Sequence, residues 1–169
     1  MTAPEGRASS TRCSIARTLE VLGEKWTLLI VREAFWGRTR FSDFRSALGI
    51  APDVLTDRLG TLVEHGVMVR RPYRSDGGRE RAEYVLTPAG EDLRYVLGAL
   101  NAWGDQHRPA PDGSAARYVE AVSGTPVEVR FVTDDGRLVE AAEVTTVRTD
   151  PELRTAAAGP SPRSASVPG

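Results

Sequence analysis

Apolar periodicity in this 169-residue chain points to a mainly α fold with a β wing: a winged helix-turn-helix domain plus a small C-terminal β-hairpin unit. One sign is a pair of short amphipathic helices. Phe41, Phe44 and Leu48 share a helix face that ends at Gly49. Pro52 then opens a second helix with Leu55, Leu59, Leu62 and Val63 inward, closed by His65 and Gly66. Another sign is the basic hairpin that follows: Val67 to Tyr73 and Arg81 to Thr87 are strand-like and are joined by Arg74-Ser75-Asp76-Gly77-Gly78-Arg79-Glu80. The turn of a few residues between the helices suits a second helix gripped by a core on one side and free to enter a major groove on the other.

The remaining elements follow in order. Residues 1–12 are small and polar, lack the apolar stretch of a secretory signal, and read as a disordered arm. Ser14 can cap a helix with Ile15, Leu19 and Leu22 on one stripe, ended by Gly23. Lys25 to Trp36 is apolar nearly all round, as the buried centre of a bundle would be. Thr87 and Pro88 start a last helix in which Leu93, Val96, Leu97, Leu100 and Trp103 repeat at helical spacing. That stripe has two possible covers, a second copy of the chain or the chain's own Ile15 and Leu19. The domain thus spans 13–108, followed by a linker over 109–116. From 117 to 150, Val127, Val129 and Phe131 alternate, Asp135-Gly136 makes a turn, and Leu138, Val139, Val144 and Val147 continue the strand pattern. This appendage is too short for its own core and should lean on the helices. Residues 151–169 read as a disordered tail.

Composition narrows the function. Hydrophobic content of 40 % and charged content of 27 % suit a globular protein, and no apolar run approaches a membrane span, so no membrane partner and a cytoplasmic location are expected. The single cysteine excludes an internal disulfide and a multi-cysteine zinc site, and two distant histidines offer no metal set, so no metal or cofactor is expected. No nucleophile–base pair, carboxylate pair or phosphate loop stands out, which argues against an enzyme. The net charge of −1 hides an asymmetry: through Arg108 there are 16 Lys+Arg against 14 Asp+Glu, and beyond it 6 against 9. A weak global field with one basic hairpin implies phosphate contacts by a few placed arginines.

Several strings together resemble the HxlR-type winged helix-turn-helix regulators, relatives of the MarR group. They are Cys13-Ser14-Ile15-Ala16, Gly23-Glu24-Lys25-Trp26-Thr27, Arg40-Phe41-Ser42-Asp43-Phe44, Gly49-Ile50 with Val54-Leu55-Thr56-Asp57-Arg58-Leu59, and Tyr84-Val85-Leu86-Thr87-Pro88-Ala89-Gly90. The likeness runs from Cys13 to about His107. It implies a homodimer built from the first and last helices, with Ile15, Leu19, Leu93, Val96, Leu97, Leu100 and Trp103 between the copies. It also implies a palindromic double-stranded DNA operator and control of nearby genes, by a repressor in the favoured reading.

On that reading the DNA-facing positions are Arg38, Arg40, Ser42, Pro52, Asp53, Thr56, Arg58, Thr61, Arg74, Arg79 and Arg81. Thr56 and Arg58 are placed on the face opposite Leu55, Leu59 and Leu62 and with Thr61 carry specificity; Arg38, Arg40 and the hairpin arginines carry affinity. Asp53 suits a helix start but opposes phosphate, and Gly60 weakens the helix by about 1 kcal/mol relative to Ala. Cys13 has two readings, a small interface residue or, as in some similar regulators, a redox sensor near a helix N-terminus. Trp26, Trp36, Trp103, Phe35 and Tyr95 either pack the core or line a pocket for a small-molecule effector. The alternative overall is a winged helix used for protein contacts without operator binding.

Overall fold

The computed structural model describes residues 13–73 and 80–147. Helix α1 (Ser14–Leu22) is followed by α2 (Lys25–Phe35), α3 (Phe41–Leu48) and α4 (Pro52–Glu64). Strands β1 (Met68–Tyr73) and β2 (Arg81–Leu86) form the wing; α5 (Pro88–Glu91) and α6 (Leu93–His107) follow, separated by a break at Asp92. The chain then carries a short hairpin, β3 (Phe131–Val132) and β4 (Leu138–Val139).

The core forms where the predicted stripes converge. Ile30 and Val31 of α2, Phe44 of α3, and Leu55, Leu59 and Leu62 of α4 are fully buried, with Leu22, Ile50, Val67 and Met68 around them. Gly49 takes φ +61° to end α3, a left-handed conformation that favours glycine, and Pro52 sits in the first turn of α4. The α1 cap differs from expectation. Cys13 is the N-cap without a side-chain bond, and Ser14 is already the first helical residue, its hydroxyl accepting from Arg17 at 3.0 Å. A small hydroxyl residue can serve either position, and sequence alone placed the start one residue late.

The wing is an antiparallel ribbon in the register Met68↔Leu86 to Tyr73↔Arg81. Its base is fastened twice. The Tyr84 N–H donates to the Thr39 carbonyl at 2.7 Å, and Arg40 forms an isolated bridge to Glu83, so the turn before α3 is tied to the ribbon. At the other end the Thr87 hydroxyl accepts from the Gly90 N–H at 3.2 Å, as an N-cap does, and donates to the Gly66 carbonyl at 2.5 Å.

The stripe of helix α6 is divided. Leu93 and Leu97 are partly buried against the core of their own chain, while Val96, Leu100 and Trp103 stay exposed, as do Ile15 and Leu19. Leu93 and Leu97 therefore contribute to the core of their own subunit. Their helical spacing puts them on the edge that faces the core.

The chain divides at Val129–Arg130. Tyr118 to Val129 belongs with the helices: a Cβ added at Gly98 of α6 would lie 2.9 Å from Val129 Cγ2 and 3.9 Å from the Tyr118 ring. Burial there raises the Tyr118 pKa, partly offset by Arg94. Val127 and Val129 are not the strand their alternation suggested; Val127 donates to the Tyr118 carbonyl at 3.0 Å across a loop. In that loop Glu120 accepts from Ser123 and Val122, which lowers its pKa. In the second unit Gly136 (φ +86°) turns β3 into β4, as expected from Asp135-Gly136. Val144 and Val147 do not extend the hairpin. Ala141–Glu143 instead form a 3₁₀ turn with a Glu140/Glu143 capping box, so local capping wins over alternation.

Gly90 is buried against the chain between α4 and the wing, and an added Cβ would collide with the Val67 carbonyl oxygen. Gly90→Ala should cost about 1–3 kcal/mol. A urea titration of the full chain followed by circular dichroism reads this as a lower midpoint.

Candidate nucleic-acid interface

Helix α4 turns its leucines inward and leaves Pro52, Asp53, Thr56, Asp57, Gly60 and Glu64 exposed. Thr56 is where the sequence placed it. Its hydroxyl donates to the Pro52 carbonyl at 2.8 Å, and the half-buried Thr61 donates likewise to Asp57 at 3.0 Å, so both keep acceptor capacity outward. Arg58 is not opposite the core. It is half-buried, and its Nε lies away from solvent with no hydrogen-bond partner. The reason is geometric. Leu55, Arg58, Leu59 and Leu62 fall at i, i+3, i+4 and i+7, so Arg58 flanks the apolar stripe. The exposed face of α4 is correspondingly acidic, with Asp53, Asp57 and Glu64.

Positive charge gathers instead where the wing meets α3. Arg40, the N-cap of α3, stacks its guanidinium 4.8 Å from the centroid of Tyr73 in β1. Arg81 stands opposite Tyr73 in the ribbon. With Phe41, Ser42, Ala82 and Tyr84 these three line a cleft of about 400 Å³. Ser42 donates to Asp43 at 3.1 Å. Arg70 and Arg71 lie on β1, the strand that carries Tyr73, and both are exposed. Sequence reasoning passed over them because it sought arginines at the hairpin tip; an Arg pair inside a strand run was the available signal. Arg74 and Arg79 lie outside the described residues.

Arg38 is committed differently. Its Nη1 donates to Glu33 Oε2 at 2.5 Å, and Glu33 is buried at 2 % exposure inside α2. No reading of α2 as a wholly apolar helix anticipated this carboxylate. The five aromatic residues weighed for an effector pocket are dispersed. Trp26 and Phe35 pack against the core, whereas Trp36, Tyr95 and Trp103 are exposed. A second cleft, about 310 Å³, lies between Ser14, Arg17, Thr18, Val21, Leu22, His65, Val67 and Leu93. Cys13 is exposed beside its rim residue Ser14.

Comparison with known proteins agrees with this geometry. The sequence model of the HxlR-like helix-turn-helix family matches residues 21–112. The chain belongs to that family. An HTH-type transcriptional regulator of Mycobacterium bovis is 43 % identical over 133 residues, covering 78 % of this chain and 83 % of its own. The crystal structure of PA1607, described as a candidate transcription factor, is 44 % identical with a TM-score of 0.71, covering 82 % of this chain and 96 % of its own. The redox regulator HypR in its reduced form is 29 % identical with a TM-score of 0.52, covering 57 % and 94 %. The protein is thus a helix-turn-helix transcriptional regulator of the DNA-binding HxlR type. No described helix is long and apolar enough to cross a membrane, and no described group of three or more His, Cys, Asp or Glu could hold a metal.

The Arg40–Tyr73 stack ties the start of α3 to the wing. Tyr73→Ala should lower stability by about 0.5–1 kcal/mol beyond the loss expected for its buried area. A double-mutant cycle with Arg40→Ala in urea measures that coupling.

Proposed function

We propose that this regulator binds a palindromic operator as a homodimer and represses nearby genes, with α4 in the major groove and the wing on the flanking backbone. The observation that carries the reading is the cleft where Arg40 and Arg81 meet at the wing, in a domain whose α4 keeps Thr56 exposed. Phosphate contacts come from Arg40, Arg81 and Arg38, joined by Ser42 and by Arg74 and Arg79. Base-edge contacts come from Thr56, Thr61 and Arg58, with Pro52 and Asp53 at the helix entry. Asp53 restricts that entry to bases offering a donor, as cytosine does. A DNA target places the protein in the cytoplasm, and DNA binding requires no chemistry or cofactor of its own.

The second copy supplies the two-fold. Ile15, Leu19, Val96, Leu100 and Trp103 expose between 38 % and 71 % of their surface, a burden that pairing would relieve. Two recognition helices about 34 Å apart would then read successive major grooves. Cys13 is exposed at the α1 N-cap, which leaves it open either to cover by the partner or to an oxidant. The likeness to HypR, named as a redox regulator, supports the latter. The cleft beside it is the better seat for a small effector than the dispersed aromatics. One observation favours a protein partner in place of DNA: the acidic face of α4. Ionic strength separates the two, because contacts through several arginines weaken steeply with salt.

A mobility-shift titration on DNA from beside the protein's own gene, repeated across salt concentrations, tests the reading. Arg58→Ala should cost about 1–3 kcal/mol of specific binding. Replacing Arg79 and Arg81 together should flatten the dependence of log K on log salt by about 0.9 for each phosphate no longer neutralised. An unchanged slope would remove the wing from the interface. Leu100→Asp should shift the protein from dimer to monomer in sedimentation velocity; a monomeric wild type would refute the pairing.

A further inference from the structure

We propose that Glu33 is a positioning residue for DNA binding: its buried carboxylate holds the Arg38 guanidinium, and with it the turn into α3, in the posture that meets a duplex phosphate. The inference rests on the reading of Arg38 as a phosphate contact.

Glu33 is almost wholly withdrawn from solvent. A carboxylate in that position needs charged partners on both oxygens. It has them. Oε1 accepts from Arg32 Nε at 3.1 Å and Nη2 at 2.6 Å, and Oε2 accepts from Arg38 Nη1 at 2.5 Å. The backbone repeats the link, with the Arg38 N–H donating to the Glu33 carbonyl at 3.2 Å. The two arginines are held differently. Arg32 is braced on both sides, its guanidinium also 4.9 Å from the Trp36 ring centroid. Arg38 gives Glu33 a single bond from Nη1 and has no such ring beside it in the described contacts, although each arginine keeps 38 % of its side chain exposed. The next residues carry that placement into the interface: Thr39 bonds to β2 through Tyr84, and Arg40 caps α3 over Tyr73.

Stability is a weak reason for such a group, since apolar replacement of a buried ion pair is often neutral or better. Preorganisation is a stronger one. A guanidinium already held in one rotamer loses less freedom when it meets a phosphate. Two effects of Glu33 therefore oppose each other. As a bare negative charge it lowers the local potential, and removing it should tighten DNA binding. As a positioning group it orders Arg38, and removing it should loosen binding. The sign of the change decides between them.

The test uses the full chain and a fluorescein-labelled mixed-sequence duplex, read by anisotropy over a salt series. Arg38→Gln sets the scale: weaker binding and a salt slope shallower by about 0.9. Glu33→Gln should also weaken binding several-fold and flatten the slope by a similar amount, although the protein becomes one charge more positive. Combining it with Arg38→Gln should add nothing further. Binding by Glu33→Gln that is as tight as wild type or tighter, with an unchanged or steeper slope, overturns the proposal. Should Glu33→Gln fail to fold, Glu33→Asp keeps the charge and only draws the carboxylate back. Folded Glu33→Asp should show the same flattening, and a wild-type slope from it overturns the proposal. Failure of the underlying reading looks different: Arg38→Gln itself then binds with the wild-type slope, and the inference falls with it.

Discussion

Attachment of the wing to the turn before α3 is the constraint on which the interface depends. A two-stranded ribbon is marginal in water by itself. Here the Tyr84 N–H reaches the Thr39 carbonyl, and Arg40 forms an isolated bridge to Glu83, so the ribbon is fastened to the lead-in of the helix-turn-helix. The same few residues therefore fix the wing, the start of α3 and the Arg40 guanidinium relative to one another. Thr87 closes the other end by capping α5 while bonding back to Gly66 at the end of α4. The reading helix and the wing are thereby braced from both sides, and neither can tilt without breaking a bond that the other needs.

Electrostatics then explains how a chain with a net charge of −1 can engage a polyanion. The field of the whole molecule offers little attraction, so the contact must come from local geometry. Arg40 and Arg81 converge on one cleft, Arg70 and Arg71 lie exposed on the strand that carries Tyr73, and Arg38, two residues before Arg40, is held by Glu33. The exposed face of α4 carries acids instead. On the proposed docking they select against loose association along any duplex, because a misplaced helix brings Asp53, Asp57 or Glu64 against phosphate. Modest attraction with local repulsion favours register over raw affinity.

Much of this was legible in the sequence, and the failures have a common form. Gly49, Pro52, Thr87 and Pro88 act through their own backbone, so they marked the helix boundaries correctly. The leucines of α4 identified its inner face for the same local reason. Arg58 was misread because a binary pattern of apolar and polar residues ignores the flank of a stripe, where a long side chain can bury its stem and keep its end wet. Glu33 was missed because its partners are its neighbour Arg32 and Arg38 beyond the turn, a contact created by the end of α2 and invisible to periodicity. The alternating valines after residue 126 suggested strands, but bonds within the Tyr118–Val127 loop and the Glu140/Glu143 capping box took precedence there.

The division of labour along α6 has a further consequence for assembly. Leu93 and Leu97 anchor the helix to its own core, and Gly98 lets Tyr118 and Val129 lie close against it. Those two sides of the helix are therefore occupied before any second copy arrives. What stays open includes Tyr95 and the strip of Val96, Leu100 and Trp103. In the proposed homodimer a helix so constrained meets its twin in few orientations, since rotating it would expose the leucines or eject the returning chain. On that proposal the spacing between two recognition helices is set by packing inside each subunit as much as by the contact between them. A bulky residue at Gly98 should for that reason disturb operator spacing even though it lies far from α4 in sequence and on the covered side of α6.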